Sequence, residues 1–300
     1  SKAFIFFLIG PIAMSWRSRA LRHWSFCEPV FCARYSSPLR VISGSSGVPG
    51  TTGAAPHFGR ISRTARLTPK TGAAGFSANS LLTRSVSGCA AALPNLQLAH
   101  ALLTANTCAH VLSICVEVSS AAIYLDNDPG VLISACLFGD GAGAAILSRQ
   151  PAPAGRRIEW IDSTSLIEPS QRHALLFEQR DGMLRNILTR AVPALAAAYA
   201  QQVLATVLCR AALQTDDVRA WILHAGGRDV LLAIEREFGL SGDDLRYSAA
   251  MLREYGNLSS AFVYFVLEAA LADAAPAGWW WLSSFGAGFS CHGALLRVSR

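Results

Sequence analysis

Residues 221–260, WILHAGGRDVLLAIEREFGLSGDDLRYSAAMLREYGNLSS, constrain the fold more than any other stretch of the chain. The apolar run Trp221-Ile222-Leu223 ends on His224, Gly226 and Gly227 follow at once, and a helical pattern runs over 229–238. Gly239 then serves as a C-cap. A strongly apolar helix follows over 257–272, entered through Tyr255-Gly256-Asn257-Leu258-Ser259-Ser260. A strand that turns through glycines into a helix is the building unit of an α/β sheet. His224 and Asn257 both stand at element ends, where a rigid scaffold sets out the groups that do chemistry.

The chain from Gly88 onward repeats this texture. The sequence predicts a helix over 89–106 with Pro94 in its first turn, and a buried strand over 111–118. A turn at 126–130 and a glycine-rich bend at 136–143 precede a strand over 144–148. Residues 151–155 read as a linker. Beyond it come strands at 157–163 and 174–179, and one long helix over 182–213 with Pro193 as a kink. A strand at 218–223 and a final pair at 279–285 and 293–298, joined at Gly286/Gly288, complete the pattern. The alternation implies an α/β fold with both sheet faces covered. The expected organisation is an unmatched basic segment at 1–84, the remainder of a first half at 85–150, and a second half at 151–300 that alone looks complete.

Composition divides the chain at the same place. Hydrophobic residues make up 52% and charged residues 15%, which calls for a large buried core. Residues 1–84 carry eleven Lys/Arg and one acid, Glu28, whereas 85–300 carry fifteen Arg and nineteen acids. The net charge of +6 is therefore 10 − 4, and the mildly acidic body gives no reason to expect a nucleic-acid partner. Residues 15–84 hold no lasting periodicity and are expected to be poorly ordered. The abrupt change near Ser85 favours a misread frame or wrong start over a basic arm. The apolar run at 3–14 is too short to span a bilayer and reads as an uninformative terminus, with no membrane role. The eight cysteines form no CxxC pair and no zinc spacing, so no metal is expected and a reducing, cytoplasmic compartment is.

Three residues carry the chemistry. Cys89 follows Gly88 and opens a helix, whose free N–H groups favour a thiolate. A thiolate also needs a base or cation beside it, which His224 supplies. Charge developing on a thioester or enolate oxygen needs fixed donors, which His224 and Asn257 supply. Cys…His…Asn, each beside glycine, is a far more specific pattern than any one member.

With these residues in place, the sequence over 85–300 resembles the type III polyketide synthases, the chalcone synthase-like family of the thiolase superfamily. The motifs are Gly88-Cys89, Leu137-Phe138-Gly139-Asp140-Gly141-Ala142, His224-Ala225-Gly226-Gly227, Tyr255-Gly256-Asn257-Leu258-Ser259-Ser260 and Phe285-Gly286-Ala287-Gly288. The resemblance implies a thiolase-like αβαβα layered fold whose N-terminal half is incomplete, because residues 1–84 do not match the family. It implies an acyltransferase in which Cys89 accepts an acyl group from a coenzyme A thioester and His224 holds it as thiolate. His224 and Asn257 then stabilise the enolate from malonyl-CoA as it loses carbon dioxide. The implied substrate-facing residues are Phe138 at the mouth of the cavity, Glu117 and Ser119 beyond the adjoining strand, Ser259, Gly288, and Leu184 where a second phenylalanine is expected. Acyl-CoA and malonyl-CoA would be substrates, with no further cofactor, and a homodimer is implied if the fold is intact. Two other readings stand beside it. A ketoacyl synthase III-like enzyme shares Cys-His-Asn but takes malonyl from an acyl carrier protein, and a truncated or frameshifted remnant would keep the motifs without the activity.

Overall fold

The computed structural model describes residues 3–7, 88–151 and 155–300, which fall in one folding unit. The expectation of low order within 1–84, apart from 3–7, and the core of the linker at 152–154 lie outside the described residues. Residues 3–7 give a correction. Ala3–Phe7 is no idle terminus but a strand, β1, paired antiparallel to strands on both sides.

From Gly88 the chain makes a 3-10 turn, Gly88–Ala90, and enters helix α1, Ala92–Thr104, with Pro94 in the first turn where its missing N–H is harmless. Strand β2, His110–Glu117, and a single helical turn, α2, Ser119–Ala122, follow. The predicted turn at 126–130 instead opens helix α3, Pro129–Leu137. Asp128 caps it by accepting from the N–H groups of Gly130 and Val131, with Pro129 in the first turn. Strand β3 is Gly141–Ser148 and strand β4 is Arg157–Ile167.

The predicted helix over 182–213 is corrected as well. Residues Leu175–Arg180, β5, and Met183–Leu188, β6, form a hairpin. Its two-residue loop, Asp181-Gly182, has both φ angles positive, the loop geometry that matches strand twist. Only Val192–Ala211 is helical, as α4, and Pro193 sits in its first turn rather than at a kink. Strand β7, Val218–Leu223, helix α5, Arg228–Phe238, and an amphipathic helix α6, Arg246–Tyr255, come next. A second 3-10 turn, Ser259–Ala261, leads into α7, Phe262–Ala272, and then into β8, Gly278–Gly286, and β9, Ser290–Ser299.

One seven-stranded mixed sheet has the order β2-β3-β1-β4-β9-β8-β7. The β1 strand joins two similar parts. On one side β4, β9 and β8 pair antiparallel in turn and β7 adds a parallel strand. On the other side β1, β3 and β2 pair antiparallel in turn, and β2 has no strand beyond it among the described residues. Helices α1 and α7 touch strands of both parts and form the middle layer. Helix α4 is long and apolar enough to cross a bilayer by length and composition, but here Val192, Ala196, Ala200, Val203 and Val207 form a buried stripe. That stripe covers β4 and β9, and α5 packs beside it.

Among the described residues, the outer face of β2 is uncovered. The inner side of β2 carries Ser113 and Cys115, both buried, and the Ser113 hydroxyl lies 2.8 Å from the Tyr264 hydroxyl of α7. On the outer side Leu112, Ile114, Val116 and Val118 are each more than half exposed. The counterpart strand β8 is buried over most of its length because α4 and β7 flank it. An apolar strand with a free edge is a template for unwanted pairing. We expect Ile114→Lys with Val116→Lys to leave the unfolding free energy within about 0.5 kcal/mol, since neither side chain loses buried contacts, and to raise the fraction left in solution after centrifugation. A loss above about 2 kcal/mol in urea unfolding, as for a buried apolar side chain, would show that this face is covered.

Candidate active site

The His224 ring is placed by the sheet. Its backbone N–H donates to Ser283 C=O at 2.9 Å, so the β7–β8 ladder runs one residue past the end of β7. The ring is buried edge-on between Phe262 and Phe285, with centroid separations of 5.5 and 5.2 Å. The chain must then leave the sheet at once. It does so through a γ-turn centred on Gly226, φ +61°, in which Gly227 N–H donates to Ala225 C=O at 2.6 Å. A Cβ at Gly226 would lie 2.4 Å from the Phe285 ring, so glycine is required twice over.

Asn257 is not the start of a helix, as the sequence reading has it. It forms a parallel bridge with Phe138: its N–H donates to Leu137 C=O at 2.8 Å, and its C=O accepts from Gly139 N–H at 2.9 Å. The helix begins five residues later, at Phe262. Gly256 makes the bridge possible. Its φ is +74°, and a Cβ there would lie 2.6 Å from Leu137 O.

The Asn257 amide has one permitted orientation. Its Nδ2 donates to Gly226 C=O at 3.2 Å, and its Oδ1 accepts from Ser259 N–H at 2.9 Å. Flipping the amide would set a donor against a donor and an acceptor against an acceptor. Oδ1 also lies 3.1 Å from His224 Nε2, so Nε2 must carry a proton. In the neutral ring Nδ1 is then the bare nitrogen, buried with no hydrogen-bond partner among the described residues. Burial lowers the imidazole pKa to about 4, against a smaller opposing effect of the Asn257 hydrogen bond, so the ring is neutral at pH 7.

Cys89 lies in the Gly88–Ala90 turn, which packs against the Ser259–Ala261 turn and against β8. The Ser284 hydroxyl pins it by donating to Ala90 C=O at 3.2 Å. Burial raises the thiol to about 11. Hydrogen bonds from the Ser259 and Asn257 side chains pull it down, while the Glu117 charge pushes it further up. The expected thiolate-favouring effect of a helix start is outweighed by desolvation. The imidazole's own polar partner among the described residues is Asn257, not the thiol.

The remaining expected residues divide. Glu117 closes the cluster from the end of β2, where its Oε1 accepts from the Ser260 N–H at 3.3 Å and from the Ser260 hydroxyl. Ser259 lies inside it. Phe138 is half-buried, with its ring 6.5 Å from Phe177. Phe177 was not anticipated. It reaches within 3.7 Å of where a Cβ on Gly88 would stand. Its signal is the alternation of β5, disguised by the assignment of the following residues to a helix. Leu184 is exposed on β6, its backbone bridged to Ile123. Ser119 opens α2 half-buried, while its neighbour Ser120 holds Asp140 through N–H and hydroxyl at 2.8 and 2.5 Å. Gly288, φ +78°, lies in the β8–β9 turn and donates its N–H to Leu175 C=O at 3.0 Å. A cavity of about 370 Å³ lined by Ala109, His110, Ser148, Arg149 and Gln150 lies at the far end of β2 and β3 and takes no part. No cluster of three or more His, Cys, Asp or Glu suited to a metal occurs among the described residues.

Residues 164–299 match the family of chalcone and stilbene synthases, C-terminal domain, and residues 86–165 match 3-oxoacyl-[acyl-carrier-protein] synthase III. The polyketide synthase PKS-I of the brown alga Ectocarpus siliculosus is 30% identical, with a TM-score of 0.64 over 70% of this chain and 58% of that one. The chain is type III polyketide synthase-like. Its fold is thiolase-like, shared also with the C-terminal type III polyketide synthase domain of Steely1 from Dictyostelium at 23% identity and a TM-score of 0.65, over 71% of this chain and 60% of that one. The chain thus spans about three fifths of the length of either structure. The C-terminal family match covers β4 onward nearly whole, including His224 and Asn257, and the shorter match covers the turn that carries Cys89.

The neutral, buried His224 of this polyketide synthase-like body carries a pH signature. Unfolding returns it to a pKa near 6.5, so the unfolded chain binds more protons between pH 6.5 and 4 and stability falls as pH drops through that window. His292, lowered to about 4 by burial, acts in the same direction. We expect urea unfolding at pH 4.5 to show a loss on the order of 3 kcal/mol relative to pH 7, part of it removed by His292→Gln. A flat profile would show that neither ring is buried neutral.

Proposed function

We propose that the protein is a decarboxylative condensing acyltransferase that loads an acyl group from coenzyme A onto Cys89 and extends it with malonyl-CoA. The observation that carries this reading is the buried Asn257 amide, hydrogen-bonded to His224 Nε2 at 3.1 Å and to the Ser259 N–H, whose turn packs against the turn that bears Cys89. In the loading step the Cys89 sulfur attacks the thioester carbonyl, a new C–S bond forms, and coenzyme A leaves as its thiol with the proton that Cys89 gives up. The raised thiol pKa makes this proton transfer part of the reaction rather than a resting charge separation. In the extension step malonyl-CoA loses carbon dioxide and leaves an enolate. The second Nδ2–H of Asn257 is the free donor suited to its oxygen, and the Nε2–H of His224 joins it by leaving Asn257 Oδ1. The enolate carbon attacks the acyl carbonyl, a C–C bond forms as the acyl C–S bond breaks, and Cys89 leaves as its thiolate and regains a proton from solvent.

The match of residues 86–165 to a carrier-protein synthase favours one second reading, with malonyl delivered on an acyl carrier protein. One experiment tests both. Purified protein is incubated with an acyl-CoA and the Cys89 peptide is weighed by mass spectrometry, then malonyl-CoA or a malonyl carrier protein is added and carbon dioxide and product are followed. We expect an acyl adduct on Cys89, no adduct in Cys89→Ala, and an extension rate at least 100-fold lower in Asn257→Ala, in line with the loss of one oxyanion donor. An adduct that persists elsewhere in Cys89→Ala, or no adduct in the unmodified protein, would sink the proposal. Extension with the carrier protein alone would select the second reading.

A further inference from the structure

The β5–β6 hairpin meets the turn that bears Cys89 through Phe177. That ring comes within 3.7 Å of where a Cβ on Gly88 would stand and lies 6.5 Å from the ring of Phe138. In the hairpin register Phe177 is paired with Asn186 of β6. Side chains directly opposite each other in an antiparallel pair project from one face, with Cβ atoms about 5 Å apart. Asn186 therefore shares the hairpin face that meets Gly88 and Phe138.

Asn186 is 2% exposed, yet only one half of its amide is satisfied. The Ser134 hydroxyl donates to Gly130 C=O at 2.7 Å, so toward Asn186 it can only accept, and it accepts from Nδ2 at 2.7 Å. That bond fixes the amide, because turning Oδ1 toward Ser134 would set acceptor against acceptor. Oδ1 is buried with no hydrogen-bond partner among the described residues. Its neighbours on the same hairpin face, Phe177, Leu184 and Leu188, have no donor in their side chains. A buried carbonyl oxygen without a donor is costly. Ser134 does not require the amide either, since its proton is already engaged within α3. Leucine, of similar size, would suit these apolar neighbours without leaving an oxygen bare. The amide thus weakens the fold where it stands, and its place beside the Cys89 turn gives the oxygen a use.

We propose that Asn186 is a specificity-determining residue whose Oδ1 accepts a hydrogen bond from an N–H or O–H of the thioester substrate. The proposal rests on the reading of Cys89 as the residue that takes an acyl group from a coenzyme A thioester. Such a substrate offers two sources of the donor, the amide N–H nearest the sulfur in the coenzyme A arm and a hydroxyl on the acyl chain.

The test measures binding of butyryl-CoA and of 3-hydroxybutyryl-CoA by isothermal titration to the full chain carrying Cys89→Ala, so that no acyl group is transferred. We expect Asn186→Leu in that background to weaken binding about tenfold, the size of one lost hydrogen bond. Asn186→Ala, which cannot overfill the site, should show the same loss. Equal weakening of both thioesters assigns the donor to the coenzyme A arm, and weakening of 3-hydroxybutyryl-CoA alone assigns it to the acyl hydroxyl. Asn186→Leu should also melt at the same or a higher temperature, because a bare buried oxygen is removed. A merely structural amide would give the reverse pattern, a lower melting temperature with both dissociation constants within about twofold. That result would overturn the proposal, as would the absence of binding by either thioester. Binding that depends on Asn186, with no acyl adduct on Cys89 in the unmodified protein, would refute the acyltransferase reading alone. An acyl adduct on Cys89, with binding indifferent to Asn186, would refute the Asn186 assignment alone.

Discussion

The arrangement of the site hangs on one side chain amide. Asn257 is held on the main chain by Leu137 and Gly139 from the N-terminal half and on the side chain by Gly226 C=O and Ser259 N–H from the C-terminal half. Four backbone groups from three separate segments leave the amide a single orientation. That orientation decides which His224 nitrogen bears the proton. An unpaired group in such a low-dielectric network is costly, and His224 Nδ1 is the member left without a partner among the described residues. The glycines at 226 and 256 are the means by which two backbones come close enough to serve one side chain.

The same amide explains an unusual balance of charge. A resting thiolate–imidazolium pair would need solvent or further charge to support it, and Cys89 and His224 are both buried. Desolvation acts on both in the direction of neutrality, raising the thiol and lowering the imidazole. The groups that oppose it at the sulfur are neutral donors rather than a cation. The resting site is therefore neutral, with its polar groups already oriented.

Much of this was legible in the residues. The β7–α5 unit, the β8–β9 pair and the identity of the three central side chains follow from apolar runs that end at glycine, where local signal and tertiary context agree. Among the elements that did not read correctly, three have a definite reason. Met183–Leu188 has enough apolar residues to pass for helix, and the Asp181-Gly182 hairpin signal was outweighed by the long alanine-rich run that follows. The capping pair Asp128-Pro129 reads equally as a turn or as a helix start, and the helix it opens is short. Ala3–Phe7 has no neighbour in sequence to pair with, so its place between β3 and β4 exists only in three dimensions. In the site, the sequence names Cys89, His224 and Asn257 but not how they connect. Nothing in the spacing of residues 224 and 257 joins the amide to the ring, and Phe177 became visible only when β5 was recognised as a strand.

The exposed flank of β2 has a dynamic consequence. Opening free energies within a native protein scale with the buried contacts that must be broken, and regions short of cover open first. The turn that bears Cys89 leads through the buried helix α1 into β2, whose outer face is exposed, whereas His224 follows β7, which packs against α6 and α7. Cys89 is thus linked along the chain to the less covered strand and His224 to the better covered one. Amide exchange would run as a gradient across the sheet, fastest at β2 and slowest at β8. The population in which all three side chains are docked is then governed by that local equilibrium rather than by the global stability of the fold.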